Sequence, residues 1–220
     1  MLTTLWTYML DSLLRWITFM FLQDVGVSPT ICLRHATSIV GLATCLDQFT
    51  VPPAFYDPLS YDLAQPIGRQ REDWKDLTTR LLSVDGNCSI TPIPLSLKGI
   101  YAVEPFQNYC VLYESTSPCG NYLKGWGYMI VPSTQRGISR NVHISAPHPG
   151  YDMGTVQQAA SIFSLTGSRS LLVAGRDRRA FLDPSGCIQP SSPSQSYYKT
   201  DPAHNDVSSF RWRGPMIMLT

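Results

Sequence analysis

Residues 142–174 carry the pattern that most narrows the fold. Val142 to Ala146 alternates, with Val142 and Ile144 on one face and His143 and Ser145 on the other, and Pro147 stops the run. Thr155 and Gln158 are spaced as a capping box. Val156, Ala159, Ala160 and Phe163 make an apolar stripe at helical spacing, and Gly167 stands where a C-cap glycine belongs. Ser170 to Ala174 is a continuous apolar run, as expected of a strand buried on both faces. Strand, helix, buried strand is a crossover, and crossovers pair their strands in parallel. With a further strand over Tyr128 to Val131, the region from Tyr128 to Phe210 predicts an α/β domain: a small, mostly parallel or mixed sheet with flanking helices.

Parallel neighbours end at one edge of the sheet, and the carboxyl edge is where open α/β sheets bind ligands. His148, Asp152 and Thr155 follow the first strand; Gly175, Arg176 and Asp177 follow the second. Topology alone therefore predicts a polar site holding His148, Asp152 and Arg176.

Upstream, Val51-Pro52-Pro53 to Pro58 is an extended, proline-rich entry. Trp74, Leu77, Leu81 and Val84 fall at helical spacing with Gly86 as a C-cap, a proline-spaced stretch runs from Ile90 to Leu97, and Ile100 to Val103 and Tyr109 to Tyr113 read as short strands. Leu13 to Leu22 is apolar but broken by Arg15, too short for a membrane span. Ser38 to Leu46 follows Arg34 and His35 and resembles a signal peptide, with Ala43 and Cys45 small enough for cleavage. The expected division is a leader, signal-like or misassigned segment over 1–48 and a single α/β domain over 52–220.

A formal net charge of +1 and 15% charged residues give no field suited to nucleic acid. Six cysteines are present, none in a C-x-x-C pair. Cys88, Cys110, Cys119 and Cys187 permit two disulfides or four buried thiols, and Asn87-Cys88-Ser89 is an N-x-S glycosylation acceptor. The expected location is secreted or extracellular, the alternative being a membrane anchor through the N-terminal apolar segment.

His148-x3-Asp152 lies on a turn between Pro147 and Gly154. An imidazole and a carboxylate suit a divalent metal, zinc first. The competing reading has His148 bonding its own loop and Asp152 capping the helix. His143 precedes His148 by about 16 Å of extended chain and reads as a half-buried strand histidine. Asp201-Pro202-Ala203-His204 is a second polar turn in which His204 is a third ligand or a general acid/base, or else part of a surface turn feeding a helix near Val207. Arg176 is placed to clamp an anion, while Arg178 and Arg179 read as solvated. No G-x-S-x-G, P-loop, H-E-x-x-H or G-x-G-x-x-G occurs, so serine hydrolases, nucleotide kinases, zincins and Rossmann dehydrogenases lack support.

Gly125-Trp126-Gly127, Ala146-Pro147-His148-Pro149-x-x-Asp152-x-x-Thr155, Ser170-Leu171-Leu172-Val173-Ala174-Gly175-Arg176 and Asp201-Pro202-Ala203-His204-Asn205 together resemble a little-characterised group of fungal secreted proteins over roughly residues 52 to 210. A looser likeness, a histidine turn after a strand, is to zinc amidohydrolases of the N-formylglutamate type. The first resemblance implies secretion and a functional sheet edge. Such domains run on past the Asp-Pro-Ala-His turn, whereas Arg211 to Thr220 reads as neither a strand–helix pair nor a natural terminus, so C-terminal truncation is also expected. The leading expectation is a secreted metal-assisted hydrolase acting on an anionic or amide-containing small or peptide-like substrate. The metal would sit on His148 and Asp152, with His204 and Arg176 assisting. The rival is a non-catalytic extracellular binding module or an inactive remnant.

Overall fold

The computed structural model describes residues 28–186, 192 and 194–202, and the backbone of 216–218. In chain order the elements are helices α1 (Pro29–His35), α2 (Ile39–Asp47), α3 (Pro58–Ala64) and α4 (Gly68–Leu81), strands β1 (Tyr101–Phe106), β2 (Tyr109–Glu114), β3 (Tyr128–Pro132) and β4 (Arg140–Ala146), helix α5 (Thr155–Thr166), and strands β5 (Ser168–Val173) and β6 (Met216–Met218).

One mixed sheet runs in the order β1-β2-β3-β5-β4-β6. Its first three strands form an antiparallel meander that meets β5 antiparallel, while β4 pairs parallel to both β5 and β6. The expected crossover is present: Ile144 lies opposite Leu171 and Ala146 opposite Val173, so β4 and β5 end together. Gly167, left-handed at φ 58°, turns the chain from α5 into β5.

Helices cover both faces. On one side α2 and α5 pack together, and their Leu42, Leu46, Ala160 and Phe163 meet Val111, Tyr128, Ile130, Ile144 and Leu171 of the sheet. On the other, Trp74, Leu77 and Leu81 of α4 meet Tyr101, Leu112, Met129 and Val131. Successive residues of β3 therefore point into different cores, and all five are buried, which is why that strand lacks polar alternation.

Three expectations need correction. Residues 29–47 are not separable as a leader: α1 and α2 are joined by a Cys32–Cys45 disulfide, and Ile39, Leu42, Ala43 and Leu46 lie in the core. A short run apolar on most sides is a core helix here, and only residues 1–27 of the expected leader lie outside the described residues. Gly86 does not cap α4, which ends at Leu81; its N–H donates instead to the carbonyl of Ser133 at 2.6 Å. The Thr155–Gln158 capping box does not form, because Gly154 is the N-cap and Thr155 Oγ1 donates to the carbonyl of Asp152 at 2.7 Å.

Of the four downstream cysteines, Cys88 and Cys110 form a disulfide, Cys119 is free and exposed, and Cys187 lies outside the described residues. Two disulfides suit an extracellular or secreted protein. Among the described residues no helix is long and apolar enough to cross a membrane.

Candidate functional site

Pro147 ends β4 and the chain turns at once. The carbonyl of His148 accepts from the N–H groups of Tyr151 at 3.3 Å and Asp152 at 3.1 Å, which swings Asp152 back beneath the histidine. The two side chains meet, His148 Nδ1 to Asp152 Oδ2 at 2.8 Å. The Asp152 carboxylate is turned to the imidazole, and it is its main-chain carbonyl that meets the start of the helix, accepting from Thr155 N–H at 3.2 Å and Thr155 Oγ1 at 2.7 Å.

The opposite nitrogen of His148 lies 3.0 Å from Oδ1 of Asp201. Asp201 is wholly buried, and its other oxygen is ion-paired with Arg178. A buried carboxylate needs such a partner. Burial pulls the imidazole pKa down, but the hydrogen bonds to Asp201 and Asp152 outweigh it and leave His148 above its ordinary value. Asp152 keeps 26% of its side chain exposed against 3% for His148, so the pair opens to solvent on the Asp152 side. At the rim, Arg179 holds Asp177 with Nε and Nη2 at 3.1 Å each. The guanidinium carbons of Arg178 and Arg179 stand 4.9 and 4.6 Å from the ring centre of Tyr151.

The expected residues are thus brought together in part. His148 and Asp152 meet as required. Arg176 does not join them: it is buried beside the Tyr56 phenol, with its guanidinium 5.9 Å from the Tyr61 ring centre and Nη1 without a hydrogen-bond partner. Arg178, read as solvated, is the arginine that reaches the site. The chain after β5 is drawn aside by Val51, whose N–H donates to Gly175 and whose carbonyl accepts from Asp177, each at 2.9 Å. His204 lies outside the described residues. His143 is the half-buried strand histidine expected, Nδ1 2.6 Å from Ser170 Oγ. Asn87 is exposed on its loop.

Asp201 is a site residue that the sequence marks only by its place in the same polar turn as His204. Glu114 carries no such mark. At the end of β2 it is wholly buried, and both carboxylate oxygens are filled by backbone donors. Lys124 and Gly125 bond Oε1, the latter at 2.9 Å; Trp126 and Gly127 bond Oε2 at 2.6 and 3.0 Å. The loop so gathered presses on the end of β5: a Cβ on Gly127, at φ +94°, would stand 2.0 Å from the carbonyl oxygen of Val173, so only glycine fits. Glu114 therefore shapes the edge from which Asp177 and Arg178 project. Burial pushes its carboxyl up to about 7 from 4.5, against the pull of the four N–H donors. Between those values the folded chain holds a proton that the unfolded chain has released, so this contribution is full at acid pH and is lost as pH rises through about 7. Urea midpoints measured from pH 5 to 8 should fall, with on the order of 3 kcal/mol from this group; midpoints rising across that window would contradict it.

Chemically, a neutral imidazole with Nε2–H donated to a buried carboxylate presents the Nδ1 lone pair outward, the second-sphere arrangement of metal-binding histidines. Two ligands on one tetrahedral zinc at about 2.0–2.1 Å stand about 3.3–3.4 Å apart, so the 2.8 Å between Nδ1 and Oδ2 is a hydrogen-bond distance that shared ligation would have to open by about half an ångström. Asp152, Asp177 and Asp201 against Arg178 and Arg179 leave one negative charge when the imidazole is neutral. Among the described residues no group of three metal-ligating side chains surrounds one point; a bound ion would take further ligands from water or from residues such as His204. No family model matches the chain, and no curated protein or solved structure is significantly similar to it.

Proposed function

We propose that the protein is a secreted metal-assisted hydrolase with its centre at His148 and Asp152, acting on an anionic or amide-containing small or peptide-like substrate. One observation carries this reading: the imidazole is gripped on Nε2 by a buried, arginine-backed carboxylate, while Nδ1 faces a carboxylate open to solvent. Asp201 fixes the tautomer and Arg178 fixes Asp201. Asp152 and Nδ1 would hold the ion, zinc first, which supplies a Lewis acid and an activated water. His204 is proposed as third ligand or proton shuttle. Arg178 and Arg179 replace Arg176 as the nearest guanidinium groups for an anionic substrate.

A second reading is favoured by the raised imidazole pKa. His148 would then be a cation bridging Asp152 and Asp201, and the edge would belong to a non-catalytic extracellular binding module. Elemental analysis separates the two. Protein purified without chelator should hold about one divalent ion per chain, and removing it should abolish cleavage of a panel of N-acyl amino acids and short peptides. Metal-free protein that takes up no zinc on addition would leave the second reading standing.

A further inference from the structure

We propose that Asn87 is N-glycosylated and that closure of the Cys88–Cys110 disulfide competes with its modification, so that order of events sets the occupancy of the site. Asn87-Cys88-Ser89 is the only N-x-S/T triplet in the sequence, and its middle residue is a disulfide cysteine. The two disulfides and the triplet call for the same oxidising compartment.

In the folded chain Asn87 and Ser89 are exposed while Cys88 is buried. The Cys88 sulfur is tied to Cys110 in the second strand of the sheet, with 5.4 Å between Cα atoms. The triplet opens a 3-10 turn over Cys88–Ile90, and Ser89 N–H donates to Asn87 Oδ1 at 2.9 Å. The Asn87 side chain is exposed, so the atom to be modified is accessible from solvent in the folded chain. A modifying enzyme must draw the triplet into its own cleft, and a segment pinned to a strand through its central residue cannot follow.

The reaction is a group transfer. Nδ2 loses a proton and bonds to the anomeric carbon of an oligosaccharide carried on a polyprenyl diphosphate, which leaves as the diphosphate. Disulfide closure is the separate oxidation of two thiols by a protein disulfide, which is reduced to a dithiol. Cys110 follows Cys88 by 22 residues. At about 5–20 residues per second of synthesis, Asn87 is exposed for roughly 1–4 s before Cys110 emerges, and closure then takes seconds or longer.

The full chain, expressed behind a secretion signal in a eukaryotic host, provides the test. Total intracellular protein is analysed by mass spectrometry of the Asn87 peptide with and without glycosidase, so variants retained by quality control still count. Untreated chain should be a mixture. In Cys110→Ser, and in the unaltered chain made during a pulse of reductant, the unoccupied fraction should fall at least about twofold, because the competing closure step is removed. Asn87→Gln should show no glycosidase shift. Unmodified Asn87 in both oxidised and reduced chains, or equal occupancy in the two, would overturn the proposal.

Discussion

Replacing Glu114 with Gln should destabilise the protein by on the order of 4 kcal/mol, although it changes one oxygen to nitrogen. Two backbone N–H groups converge on each carboxylate oxygen of Glu114. A carboxamide has one acceptor oxygen, so its NH2 faces two donors, each left unsatisfied at about 1–3 kcal/mol. Acid does not do the same damage, because a protonated carboxyl keeps lone pairs on both oxygens. Titration toward pH 5 should therefore stabilise the chain while Gln weakens it. Since domains are stable by roughly 5–15 kcal/mol, a loss of that size removes between about a quarter and most of the stability. A thermal transition within about 2 °C of the unaltered chain would show that the four donors do not depend on the carboxylate.

His148→Ala should abolish metal binding and turnover while leaving the fold in place. Asp201 keeps its ion pair with Arg178 and Asp152 reaches solvent, so neither carboxylate is stranded. Asp201→Asn is the finer test: it leaves Nδ1 and Asp152 untouched and removes the charge behind Nε2, which should weaken zinc affinity about 10–100-fold. If His148 is instead a cation bridging two carboxylates, His148→Ala destabilises the domain and neither variant alters metal content, while Asp201→Asn loses the Arg178 ion pair on either reading. Unfolding curves and zinc titrations on the same preparations discriminate these outcomes.

The β4–α5–β5 crossover was legible because local signals agree there: alternation, an apolar helical stripe and a C-cap glycine all mark one topology. Strand direction then placed His148 and Asp152 on a common edge without any motif. Arg176 was misplaced because direction fixes which edge a residue reaches, while the path of the loop decides its contacts. Here the Val51 bridge turns Arg176 toward Tyr56 and Tyr61, and Arg178 inward. The Ser38–Leu46 run misled for a compositional reason, since a helix buried against both α5 and the sheet is as apolar as a signal segment. Glu114 was invisible because its partners are main-chain N–H groups, which carry no residue code.

Crystals of zinc-loaded protein measured on both sides of the zinc absorption edge test most directly whether His148 and Asp152 hold the proposed ion. One anomalous peak is expected about 2 Å from His148 Nδ1 and from an Asp152 carboxylate oxygen, with Nε2 still on Asp201. Full-length diffraction with no peak at that position, and the Nδ1–Oδ2 hydrogen bond kept at 2.8 Å, would contradict it.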